Sequence, residues 1–190
     1  TALGNRLLFR ADDGIAGEEL WVSDGTDAGT VLLLDADPGP GSSFPNLLTV
    51  MGTVVYFRLS DPVNGTELWK TDGTAPGTVM VLDINAGPAD SNPDRFVVVN
   101  NTLFFVATTA ANGQELWKSD GTGPGTVLVR DIVPGSSSSS PNRLTRVNNE
   151  LYFTAFQGST LLMKSDGTDA GTVALNSTVV SNGTFATFRS

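Results

Sequence analysis

The chain has 190 residues, 39% of them hydrophobic, and a formal net charge of −9 from 20 acidic and 11 basic side chains. That apolar share supports a packed core, and the scattered basic residues offer no phosphate-tracking surface, so nucleic acid is excluded as an expected partner. Histidine and cysteine are both absent, which excludes the Ser-His-Asp relay, thiolate nucleophiles, zinc-thiolate sites and disulfides.

In chain order the elements are short β-prone runs bounded by Gly, Pro, Asn or Asp, with no helical periodicity among them. They fall into four copies of a repeat, approximately residues 1–44, 45–92, 93–140 and 141–190, in one repeat domain spanning 1–190. In the first copy Phe9 and Glu19-Leu20-Trp21 precede Ser23-Asp24-Gly25-Thr26. The second copy predicts four strands at about Leu47–Met51, Val54–Leu59, Thr66–Thr71 and Thr78–Asp83. It carries Phe57, Glu67-Leu68-Trp69 and Thr71-Asp72-Gly73-Thr74 at the same phase, and the third carries Phe105, Glu115-Leu116-Trp117 and Ser119-Asp120-Gly121-Thr122. The fourth carries Phe153 and Ser165-Asp166-Gly167-Thr168, with Leu161-Leu162-Met163 in place of the Trp triplet. The aromatic column and the prolines Pro45, Pro93 and Pro141 keep an unbroken 48-residue step. Such a period marks repeat architecture. Pro-Gly-Ser loops, at Pro38–Ser43 and Pro134–Ser140, join one copy to the next.

Runs such as Val31–Leu34, Val79–Leu82 and Phe96–Val99 are apolar on consecutive residues, as strands covered on both faces are. Four-stranded units covered on both faces predict an all-β fold, a β-propeller with about four antiparallel blades in this chain. The first copy lacks most of a leading strand, because Thr1 aligns with Thr49. The fourth runs through Thr172–Asn176, lacks the Pro-Gly-Ser loop and ends in the β-prone segment Val179–Phe188. The expectation is a ring closed by the C-terminal strand Phe185–Phe188, or by a neighbouring chain, which would remove a free edge. No stretch approaches the roughly 18 consecutive apolar residues of a membrane helix, so no membrane span is expected. The chain opens at Thr1 without a charged and apolar leader, as a processed or excised segment would.

The string Glu-Leu-Trp-x-x-Asp-Gly-Thr-x-x-Gly-Thr resembles the ELWxxDGT repeat family of large bacterial surface or secreted proteins, over nearly the whole chain. The resemblance implies a propeller-like architecture and an extracellular or cell-surface location. It implies no particular activity.

Each Asp of the Asp-Gly-Thr motifs, Asp24, Asp72, Asp120 and Asp166, sits where the third strand must turn into the fourth. Its carboxylate can bond the backbone two residues on, while Gly supplies a left-handed conformation, so these read as structural turns. The sharper alternative is a ring of calcium or sugar ligands, but one carboxylate per turn falls short of the six to eight oxygens calcium takes. Asp12 and Asp13, with Asp61 at the equivalent position of the second copy, are the candidate ligand-binding residues. A solvated loop is the simpler reading of that cluster, and no metal site or cofactor is expected, calcium being the one ion worth testing. Trp21, Trp69 and Trp117, with Met163 in the fourth copy, and the Phe9, Phe57, Phe105 and Phe153 column read as blade core. An exposed Trp would instead stack on a sugar. Sequons at Asn64, Asn100, Asn176 and Asn182 permit glycosylation, although Asn-Gly turn chemistry accounts for Asn64 and Asn182.

With no histidine, cysteine or nucleophile motif, the chain reads as a non-enzyme. The leading functional expectation is an extracellular adhesion module that presents propeller loops to a glycan or a cell-surface protein. The alternative is a self-assembling structural subunit of a filament, sheath or surface layer, binding copies of itself.

Overall fold

A computed structural model describes residues 1–175. The described residues contain sixteen strands and no helix, arranged as four antiparallel four-stranded sheets. The first sheet is β1 (Ala2–Leu3), β2 (Arg6–Asp12), β3 (Glu18–Ser23) and β4 (Val31–Leu34). The second is β5 (Asn46–Met51), β6 (Val54–Asp61), β7 (Gly65–Thr71) and β8 (Val79–Leu82). The third is β9 (Asp94–Val99), β10 (Thr102–Thr109), β11 (Gly113–Ser119) and β12 (Val127–Arg130). The fourth is β13 (Asn142–Val147), β14 (Glu150–Phe156), β15 (Thr160–Ser165) and β16 (Val173–Ala174). In each the strands pair in sequence order, so every sheet is a local meander built by one repeat.

The core lies between sheets. Leu8, Leu20, Val22 and Leu33 of the first sheet pack on Val55, Phe57 and Leu59 of the second. Tyr56, Leu68 and Val81 on the opposite face of the second pack on Leu103, Phe105 and Ala107 of the third. Phe104, Leu116 and Val129 of the third then meet Leu151, Phe153, Ala155 and Met163 of the fourth. Side chains of a strand alternate between faces, so β6 and β10 serve two cores at once. That is why they are buried over consecutive residues from Val55 to Phe57 and from Leu103 to Ala107.

The apolar runs of β4 and β8 have another cause. These are edge strands, and Val31 and Val79 are 46% and 40% exposed. A bulge in the pairing of β3 with β4 leaves Leu33 as an extra residue, and it turns into the core; Val81 and Val129 repeat this. Consecutive apolar residues there reflect a bulge at an edge, not cover on both faces.

The first sheet has a leading strand of its own, reduced to the two residues of β1. Within the segment through which the fourth copy runs, Thr172–Asn176, the described residues form the short strand Val173–Ala174. No sheet closes on itself, and no hydrophobic cluster of the described residues joins the fourth sheet to the first. The segment Phe185–Phe188, expected to close a ring, lies outside the described residues, as do Asn176 and Asn182. No helix among the described residues is long and apolar enough to cross a membrane.

Candidate functional site

The most regular polar feature is the buried glutamate of each Glu-Leu-Trp triplet, to which the sequence assigned no task. Glu19, Glu67 and Glu115 are fully buried. The Glu67 carboxylate accepts hydrogen bonds from the Ser91 amide at 2.8 Å, the Ile84 amide at 2.9 Å and the Ser91 hydroxyl at 2.5 Å. Glu115 takes the same three donors from Ile132 and Ser139, and Glu19 from Ala36 and Ser43. The serine's own carbonyl then accepts from the second strand of the next sheet, as in Thr108 N–H to Ser91 O at 2.8 Å. Each glutamate therefore holds the connector by which one sheet hands over to the next. Burial pushes all three carboxyls above the ordinary glutamate value, against the opposing effect of the serine and backbone donors. A signal for this latch was present as a serine 24 residues after each glutamate, but only the fold gives that spacing a meaning.

The connector runs so close to the second hairpin that a side chain at Gly113 would bring a Cβ to 2.6 Å from the Ser137 carbonyl. Gly17 and Gly65 occupy the same place against Gly41 and Asp90, and all three have positive φ. Only glycine meets both demands.

The Asp-Gly-Thr turns are closed networks. Asp72 Oδ1 accepts from the Thr74 amide at 2.9 Å and hydroxyl at 2.6 Å, the Thr74 hydroxyl accepts from Gly77 N–H, and Thr78 hydroxyl donates to the Thr74 carbonyl. The same bonds recur around Asp24, Asp120 and Asp166. The Thr hydroxyl, and then its amide, hold each Asp below the ordinary carboxylate value. These carboxylates are used by the turn itself.

Asp12, Asp13 and Asp61 lie in the hairpins between second and third strands, and the structure does not bring them together. Asp13 Oδ1 accepts from the Ile15 and Ala16 amides, and Asp61 Oδ1 from those of Val63 and Asn64. The Asp13 acid is lowered by those backbone bonds. Asp12 accepts from Gly14 N–H at 2.7 Å. Among the described residues no group of three or more acidic side chains is assembled for a metal ion.

The aromatic columns divide. Phe57, Phe105 and Phe153 are wholly buried and Met163 nearly so, whereas Phe9 is half-buried. Trp69 and Trp117 border the cores formed with the preceding sheet, but Trp21 joins none of the three clusters. Asn64 Nδ2 donates to Asp61, and Asn100 and Asn101 form a hairpin loop with both residues left-handed.

A depression of about 200 Å³ opens where the first two sheets meet their connectors. Arg10 and Arg58 line it from equivalent positions of β2 and β6, with Phe44, Asn46, Thr66 and Asn92. Phe44 follows the latch residue Ser43, has φ 51° and is 54% exposed. Asn92 and Ser140 take the same left-handed backbone in the later repeats. A bulky aromatic there is unusual, and its ring lies in the solvent rather than in a core. This residue was not singled out in the sequence, although a signal was present: the 48-residue column that holds Phe44 holds Asn92 and Ser140 in the later copies.

No family model matches the chain, and no curated protein matches it. Among solved structures it is similar to the computationally designed Ika8 protein, known from a crystal structure, with 19% sequence identity and a TM-score of 0.48. The match covers 93% of this chain and 48% of that one, so this chain spans about half the length of the designed protein.

Proposed function

We propose that the protein is a non-enzymatic binding module of the cell exterior, built on propeller-type blades, that holds a glycan in the depression around Phe44. The propeller reading is supported by the packing: neighbouring sheets meet through their faces and also at their leading strands, β5 with β9 and β9 with β13. Sheets that approach at one edge fan out from that edge, as blades do around an axis. The cell-exterior reading, and membership of the ELWxxDGT repeat family, rest on the Glu-Leu-Trp and Asp-Gly-Thr strings.

The observation that carries the binding reading is Phe44, an exposed side chain on left-handed backbone that lines one depression with two guanidinium groups and two amides. Strained conformations recur at binding sites, where surrounding structure holds them. A ring face flanked by hydrogen-bond donors matches a pyranose, apolar on one face and ringed by hydroxyls. The Asp side chains expected as ligands are engaged in their own turns, which leaves this depression as the better candidate.

A glycan array tests the reading. Wild-type protein is expected to bind a restricted set of sugars, and Phe44→Ala to abolish binding without lowering the urea midpoint. An array blank at high protein concentration, or retained binding by Phe44→Ala, would reject it.

A further inference from the structure

The three junctions between sheets are copies of one asymmetric interface. On one side stands the pair Leu8 and Leu20, Tyr56 and Leu68, or Phe104 and Leu116, and on the other Phe57 with Trp69, Phe105 with Trp117, or Phe153 with Met163. Two more contacts define it. A cation of one sheet donates to the glycine carbonyl of the next sheet's Asp-Gly-Thr turn: Arg6 to Gly73, Lys70 to Gly121 and Lys118 to Gly167, each at 2.7 Å. An aromatic ring also closes over that glycine, Tyr56 on Gly121 and Phe104 on Gly167.

Both halves of this interface recur in the first and fourth sheets, without a counterpart among the described residues. The first sheet presents Phe9, Trp21 and the turn glycine Gly25. Gly25 is exposed with no side chain over it, while Gly73, Gly121 and Gly167 are buried. The fourth sheet presents Tyr152, Leu162 and Lys164. Tyr152 and Leu162 are partly exposed, where Tyr56 and Phe104 are 3% and Leu68 and Leu116 are 0% exposed. Among the described residues no turn glycine meets Lys164, which pairs with Glu150 at 2.8 Å.

We propose that these two faces bind each other between copies of the chain, the fourth sheet of one against the first sheet of the next. Tyr152 then covers Gly25, Lys164 donates to the Gly25 carbonyl, and Leu162 packs on Phe9 and Trp21. The occupant is a second copy because the missing half of each face is what the opposite end presents, residue for residue, and the internal junctions already show that such halves pack. Leu161 stands where Glu19, Glu67 and Glu115 stand in the other copies, so this junction relies on face packing and has no glutamate latch. Such a contact is heterologous, and it builds a ring or a filament according to whether the rotation closes.

Sedimentation and light scattering of the 190-residue chain, from submicromolar to submillimolar, test the proposal. Wild type is expected to rise above monomer mass with concentration. Phe9→Asp spoils one face and Leu162→Asp the other, and both side chains are partly exposed, so each variant should fold and remain monomeric. Mixed in equal amounts, the two should form a one-to-one dimer and nothing larger, since one intact face of each kind survives. Should either variant misfold, Lys164→Glu at the surface is expected to weaken wild-type association by roughly tenfold, the loss of one charge-assisted bond, while the monomer stays folded with only the small loss of a broken surface pair with Glu150. A wild type that stays monomeric throughout, as closure within one chain would produce, overturns the proposal. So does a mixture that fails to combine, or association indifferent to Lys164→Glu.

Discussion

The interior junctions and the two outer faces are made of the same residue types, yet they differ in what those residues do. Phe57, Phe105 and Phe153 are wholly buried because a preceding sheet covers them, whereas Phe9, at the same phase of the repeat, is half-buried. Thr71, Ser119 and Ser165, which hold the turn glycines, are fully buried, and Ser23 is not. Position in a repeat thus sets which contacts a residue can make, and the neighbouring repeat sets what those contacts are worth.

The largest test of that difference is truncation of the aromatic column. Phe105→Ala should cost about 3–5 kcal/mol, as deletion of a buried phenyl does, while Phe9→Ala should cost less in the monomer because its side chain is already partly exposed. Urea unfolding of the two variants, read as midpoints at constant slope, gives the comparison directly, and equal losses would show that the first face is covered in solution.

The latch comes next. Glu67→Ala removes the acceptor for three donors, two of them buried backbone amides, and is expected to cost about 2–4 kcal/mol. Glu18→Ala, next to a latch glutamate but partly exposed, should stay within ~0.5 kcal/mol. Calorimetry on both variants checks this, and a small loss for Glu67→Ala would mean that the connector finds other partners.

Smaller effects should separate the turn glycines. Gly25→Ala and Gly121→Ala both force a side chain onto backbone at φ 91° and 93°, a shared penalty of about 1–2 kcal/mol. Gly121→Ala adds a clash with the Tyr56 hydroxyl, so it should be the worse of the two. Equal losses in thermal unfolding would argue that Tyr56 moves aside freely.

The mildest prediction concerns pH. Glu19, Glu67 and Glu115 keep their protons to higher pH folded than unfolded, so their contribution is full below the ordinary glutamate value of 4.5 and is lost as pH rises through the folded values. The turn aspartates are lowered, so their contribution is present above 3.8 and is lost as pH falls through the folded values. Stability should therefore decline on both sides of the ordinary carboxylate range. Urea midpoints across pH would show it, and Glu67→Gln, which does not titrate, should flatten the decline on the rising side.

Much of the fold was legible because the repeat aligns residues of unlike chemistry. The predicted strand Val54–Leu59 is observed as Val54–Asp61, and Thr66–Thr71 as Gly65–Thr71. Extended backbone between turn residues is a local property, and so is an aspartate bonding amides two residues ahead. The candidate site was far less legible. Asp12, Asp13 and Asp61 stood out as charge, but their carboxylates are bound within their own hairpins. Phe44 stands in a column otherwise filled by Asn92 and Ser140, but its exposure depends on where a connector crosses two sheets.

By itself the sequence determined the 48-residue period, the strands, the turn chemistry and the residues able to form a core, because each depends on backbone preference and near neighbours. Only the tertiary structure decided that Glu67 latches a connector, that Phe9 and Phe57 have different surroundings, and that Gly25 and Tyr152 lack, among the described residues, the junction partners of their counterparts. Those outcomes depend on which surface faces which across a junction, and similar repeats meet unlike surroundings among the described residues.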